Sequence, residues 1–160
     1  MSKSTPKNNS TNSVPEPKEN YGDCYLYHHY PNYQAFAQEL TAVGGQVDIY
    51  EVLGVQFNSD PDALERLTKE LDKPMTLHSY EYCLGNVESP PQKVIDRIQM
   101  LAKCCNAAYI GEHLAMMGTE KDYIGGFLQP FGTDEQTEVM IANIKKAKKE
   151  SICPIIIENA

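Results

Sequence analysis

Three short apolar segments of this chain end in side chains able to bind a metal or move a proton. "MTLHS" delivers His78, "YIGEHL" delivers Glu112 and His113, and "IIIEN" delivers Glu158 and Asn159. Two imidazoles and a carboxylate form a known ligand set, used by zinc hydrolases and by non-haem Fe(II) oxygenases that keep open positions for oxygen and substrate. Such chemistry needs neutral ring nitrogens and an anionic oxygen, held rigidly. His78 and His113 lie 35 positions apart, and His113 and Glu158 lie 45 apart. Each interval is about one strand–loop–helix–loop repeat, so the spacing predicts that all three meet at one end of a parallel sheet. A single His at a strand end is more often a hydrogen-bonded structural residue than a ligand. Recurrence on consecutive strand tips is what favours a metal site with His78, His113 and Glu158 as ligands. Glu112 has three readings: a second ligand, a group orienting a ligand His, or a buried acid paired elsewhere. Glu51, at the tip of "DIYEV", has the same standing one strand earlier, and Asn159 sits beside the predicted site.

The elements that must position these groups follow from patterning. "DCYLYHHYP", "QVDIYEVLGV", "KPMTLHSYEY", "AAYIGEHLA" and "CPIIIENA" read as strands. Between them, "NYQAFAQELTAV" places Tyr33, Phe36, Ala37 and Leu40 on one helical face before Gly44-Gly45. Asp60-Pro61 starts a second helix carrying Leu64, Leu67 and Leu71. Ser89-Pro90-Pro91 starts a third, burying Val94, Ile95, Ile98, Leu101 and Ala102. "TDEQTEVMIANIKKAKK" is a fourth, opened by a capping box from Thr133 to Gln136. The order β-α-β-α-β-α-β-α-β predicts a parallel sheet with helices outside. An open doubly wound sheet would usually carry a Gly-rich phosphate turn near its first strand, and none is present. A (β/α)8 barrel places active sites at the strand C-termini but typically needs ~250 residues. The expectation is therefore a TIM-barrel α/β fold, incomplete, with about five β-α units over residues 21–160. Raw sheet edges in such an arc suggest a piece of a longer protein or a chain completed by a partner. Residues 116–132, "MMGTEKDYIGGFLQPFG", are too long for an ordinary βα loop. They read either as a mobile lid over the site or as a variable surface loop.

Composition narrows the partners. The 160 residues carry a net charge of -8, and the first 20 contribute three Lys and two Glu, leaving about -9 on the rest. That balance argues against a nucleic-acid surface. The run Lys145–Lys149 reads as a solvated helix end. Residues 1–20, rich in Ser, Asn, Pro and Lys, read as a disordered tail and hold no secretory signal. No run approaches the roughly 18 apolar residues of a membrane span. Five Cys, an odd number without C-x-x-C, read as reduced, mostly packing thiols in a cytoplasmic protein. His28, His29 and the Tyr25, Tyr27, Tyr30 and Tyr33 cluster read as aromatic packing.

In combination, "VDIYEV", "PMTLHSYEYCLGN", "IGEHLAMMG", "FLQPFGTDE" and "PIIIENA", in this order over about Asp48 to Ala160, resemble the multinuclear non-haem iron-dependent oxidases. That family includes the methanobactin-biosynthesis oxidase. The resemblance implies a xylose-isomerase-like TIM barrel with two or three iron ions. It implies oxygen-dependent modification of a ribosomally made precursor peptide, often at Cys, together with a small partner protein that recognises the peptide leader. By the same resemblance His78 and His113 are ligands of one iron, Glu158 bridges two irons, Asn159 lies close to the cluster, and Glu112 supports the ligands from behind. The family's remaining ligands come from later strands, so this chain alone is expected to hold one iron at most. Gly111 stands where the family more often has Ser, and Met116 where an aromatic residue is usual. A sugar isomerase or metal-dependent hydrolase on the same scaffold, and an inactive half-barrel binding module, are the competing readings.

Overall fold

The computed structural model describes residues 24–27, 33–118 and 123–159. The predicted tail over residues 1–20, and His28 and His29, lie outside the described residues. In chain order the elements are β1 (Cys24–Tyr27), α1 (Tyr33–Ala42), β2 (Ile49–Leu53), α2 (Pro61–Leu71), β3 (Met75–Ser79), α3 (Gln92–Cys104), β4 (Ile110–Leu114), β5 (Met116–Gly118), β6 (Tyr123–Leu128), α4 (Asp134–Glu150) and β7 (Ile155–Asn159). A single 3-10 turn, Gly54–Phe57, follows β2, so the strand predicted to run through Val55 stops earlier.

The five predicted strands form one parallel sheet in the order β1-β2-β3-β4-β7. Its register decides which side chains share a face. Glu51 pairs with Thr76, Leu53 with His78, His78 with Gly111, and His113 with Glu158. Strand side chains alternate between faces, so Glu51, His78, Gly111, His113 and Glu158 all fall on one side. The opposite side carries Tyr50, Val52, Met75, Leu77 and Ile110. These join Leu64 and Leu67 of α2 and Ile95, Ile98 and Leu101 of α3 in one core. Each fully buried Leu or Ile contributes about 1.5–3 kcal/mol over leaving it exposed, so this layer drives the sheet together.

The helix starts follow the sequence closely. Asp60 caps α2, its Oδ1 accepting from the Ala63 amide at 3.1 Å, with Pro61 in the first turn. Thr133 caps α4 by accepting from the Gln136 amide at 3.2 Å. The predicted capping box closes only in that half. The Gln136 side chain is buried and donates to the Gly85 carbonyl instead, because that carbonyl sits in the long β3–α3 loop packed under α4. Asn143 of α4 adds bonds to the Leu84 and Asn86 carbonyls at 3.1 and 2.9 Å. Lys146 reaches the Pro90 carbonyl at 2.6 Å.

Part of the segment after β4 is regular structure, which neither sequence reading included. β5 and β6 pair antiparallel in a separate two-stranded ribbon, with a register irregularity between Met116 and Gly118. The Asn86 side chain hydrogen-bonds the ribbon to the β3–α3 loop. Asn86 Oδ1 accepts from the Met117 amide at 3.0 Å, and its Nδ2 donates to the Gly118 carbonyl. Gly85 lies so close to the Ala115 carbonyl that a Cβ there would stand 2.7 Å from its oxygen, which makes glycine obligatory at that crossing.

Candidate metal centre

β3 and β4 are neighbours in register, and each carries a histidine at its penultimate position on the same face. The two rings meet edge to face with centroids 4.8 Å apart, and their Nε2 atoms are 3.0 Å apart. Glu158 reaches the pair from β7, its Oε2 at 4.0 Å from His113 Nδ1. Among the described residues, one ligand atom from each of His78, His113 and Glu158 falls within 4.8 Å of the other two. Glu51 stands behind them. Its Oε1 is 2.8 Å from His78 Nδ1.

With His78 Nδ1–H donating to Glu51, the lone pair of His78 lies on Nε2, facing Nε2 of His113. The Glu51 hydrogen bond raises the pKa of His78, against the effect of burial. Burial, and then the neighbouring His78, lowers that of His113. His113 Nδ1 is buried without a hydrogen-bond partner among the described residues.

The histidine pair fits a divalent cation, with the Glu158 carboxylate close by. Two nitrogens each about 2.1 Å from one ion stand roughly 3.0–3.4 Å apart in ordinary coordination geometries, and the observed separation lies in that range. A neutral imidazole pair and a carboxylate supply the required donor chemistry. Glu51 on the far nitrogen of His78 makes the carboxylate–histidine arrangement that commonly orients a ligand ring. Gly111 leaves space for the cluster: a Cβ there would lie 3.2 Å from Glu51 Oε1, 3.3 Å from His78 Nδ1 and 3.7 Å from Glu158 Oε1.

Two predicted neighbours fall on the other face. Glu112 pairs in register with Ser79, points away from His113 and is 0 % exposed. Its carboxylate accepts from the Tyr82 amide at 3.3 Å and the His113 amide at 3.1 Å, and the Ser79 hydroxyl donates to it. Burial pushes its pKa up to about 8 despite these bonds. Glu112 therefore holds the β4 backbone and the start of the β3–α3 loop from the side opposite the donors. Asn159 pairs with Leu114 and alternates away from Glu158 at the exposed end of β7.

Aromatic cover is the feature sequence reasoning missed. Phe127 of β6 packs on the His113 ring with centroids 4.5 Å apart, and Tyr80 packs edge-on against Phe127 at 5.8 Å. The ribbon thus reaches the metal set through one ring. The available signal was the aromatic and β-branched content of "YIGGFL" between polar and Pro-containing flanks, weakened by its central glycines.

Comparison with known proteins agrees with this architecture. The profile of the RiPP precursor modification enzymes MbnB/TglH/ChrH matches residues 30–160. No curated protein matches the chain. Among solved structures, D-psicose 3-epimerase from Clostridium cellulolyticum H10, crystallised with D-tagatose, superposes with a TM-score of 0.53 at 14 % identity. The match covers 84 % of this chain and 50 % of that one, so the chain spans about half the length of the solved structure it matches. At that identity the likeness is one of fold: β/α units of a xylose-isomerase-like TIM barrel, present here as an open sheet. No helix among the described residues is long and apolar enough to cross a membrane. The chain belongs to the MbnB/TglH/ChrH family of RiPP precursor modification enzymes.

Proposed function

We propose that this member of a peptide-modifying family binds iron through His78, His113 and Glu158 and serves the oxygen-dependent modification of a ribosomally made precursor peptide at a cysteine. The observation that carries this reading is the convergence of these three donors on one face of a parallel sheet, within 4.8 Å of one another. Iron held there would supply one-electron redox chemistry with dioxygen, which the side chains alone cannot.

The chain's own groups have defined tasks. His78 and His113 present Nε2 lone pairs, and Glu158 presents an anionic oxygen. Glu51 holds the proton on His78 Nδ1 and fixes the ring. Phe127 covers one flank of the His113 ring, with Tyr80 packed edge-on against Phe127. Glu158, at the last strand of the sheet, is the most open donor, with its side chain 44 % exposed. Substrate and any further ligands would approach from that side. Any further iron of a multinuclear centre would need ligands beyond these three, and a small leader-recognising protein is the expected partner.

Metal analysis after anaerobic purification tests the reading. Iron should be present in the wild-type chain and lost in His78→Ala and His113→Ala. Zinc, magnesium or manganese in its place would favour hydrolase or isomerase chemistry. Undiminished iron in both variants would remove the ligand assignment.

A further inference from the structure

The ribbon that reaches the metal set has an unprotected edge. Tyr123–Leu128 contains no charged residue and no proline, the usual devices that stop an edge strand from pairing. Among the described residues β6 pairs with β5 alone, and that pairing is irregular. Ile124, Phe127 and Leu128 are 55 %, 44 % and 44 % exposed. The centre of the strand is Gly125-Gly126, and a Cβ added at Gly126 would meet nothing within 4 Å. Paired glycines inside a strand weaken it unless another backbone comes close. Open space at Gly126 means that no side chain or backbone of the described residues covers the face of the strand at its centre.

We infer that the free edge of β6 is a docking strand for the precursor peptide, which adds to it in extended form and so is aimed at His78 and His113. This rests on the peptide-modifying role proposed above. Three observations select a peptide substrate as the occupant. The family acts on precursor peptides. An extended chain offers both the backbone hydrogen bonds and the alternating side chains that an apolar edge strand can read. The strand is continuous with the metal set, because the Phe127 ring lies on His113 itself. A peptide paired along β6 would run past that ring, within a few residues of the donors.

The probe is a peptide selected from a random display library against the full chain, then synthesised with single backbone N-methyl groups walked along it. Strand addition predicts that methylation weakens binding by about tenfold or more at alternate positions and little at those between. Amide exchange should slow at Tyr123–Leu128 on binding. Gly126→Pro should weaken the peptide similarly while leaving metal content unchanged. No period of two, or protection confined to other segments, would overturn the inference, as would failure to recover any binding peptide. Concentration-dependent protection of β6 without peptide, with dimers in sedimentation, would assign the edge to a second copy and also overturn it. Metal content is measured separately, so loss of this inference leaves the metal reading to stand or fall on its own data.

Discussion

Glu112 and His113 are adjacent in the chain, yet they do opposite work. His113 turns to the open face of the sheet, beside His78, Glu158 and Phe127. Glu112 turns to the helix side, is 0 % exposed, and spends its oxygens on backbone amides of Tyr82 and His113. The contrast holds for the sheet as a whole. One face collects nitrogen and oxygen donors. The other collects Val52, Leu77 and Ile110, with a single buried acid that ties β4 to a loop. Groups on the first face are costly to folding and useful to chemistry. Groups on the second hold the first in place.

Substitutions at this pair should separate cleanly. In His113→Ala the largest effect is loss of bound metal, with a smaller loss in the stability of the metal-free protein: among the described residues the ring's Nδ1 has no hydrogen-bond partner, and what is given up is the Nε2 contact with His78 and the packing of Phe127. Glu112→Ala should do the reverse. It strands two buried amides, each at about 1–3 kcal/mol, and lowers the urea midpoint of the metal-free protein. Comparable loss of stability in both variants would show that the two faces are not divided in this way.

Glu51 sharpens the division from the site side. It touches the metal set through His78 Nδ1. Glu51→Gln keeps an acceptor but loses the charge that holds the ring's proton, and metal affinity should fall about 10–100-fold, as for other partners that orient a ligand histidine. A competitive chelator titration reads this. An affinity equal to wild type would mean that packing, rather than Glu51, orients the His78 ring.

Much of this was legible before any coordinates. The recurrence of His78, His113 and Glu158 at strand tips could be read because a parallel sheet repeats at a nearly constant interval and ends all its strands on one side. The parity of Glu112 was legible too. It shares its phase in "IGEHL" with Ile110 and Leu114, both of the apolar face, and period-two alternation separates it from His113. The ribbon was hidden for a physical reason. Gly125 and Gly126 dilute the strand signal, and what anchors β5 is Asn86, about thirty residues upstream and in another loop. A bond of that range leaves no local pattern. The same holds for Gln136, whose capping-box spacing is intact while its amide serves Gly85.

The smallest effect tests the buried face through its thiols. Cys104 and Cys105 are neighbours at the end of α3, but Cys105 is buried with its thiol donating to the Leu101 carbonyl at 3.4 Å, whereas Cys104 is partly exposed. Burial raises the Cys105 pKa from the ordinary 9.0 to about 12. At mildly alkaline pH, alkylation should therefore mark Cys104 well before Cys105 in the folded chain, and both alike in urea. The sign of the pH effect follows. A thiol whose pKa is higher folded than unfolded is neutral in both states below pH 9. Above that the unfolded chain releases its proton first, so stability falls as pH rises from about 9 toward about 12. Cys105→Ala should flatten that decline. An unchanged slope would mean that other buried groups, such as Tyr82, whose pKa burial also raises, set the alkaline limit of this face.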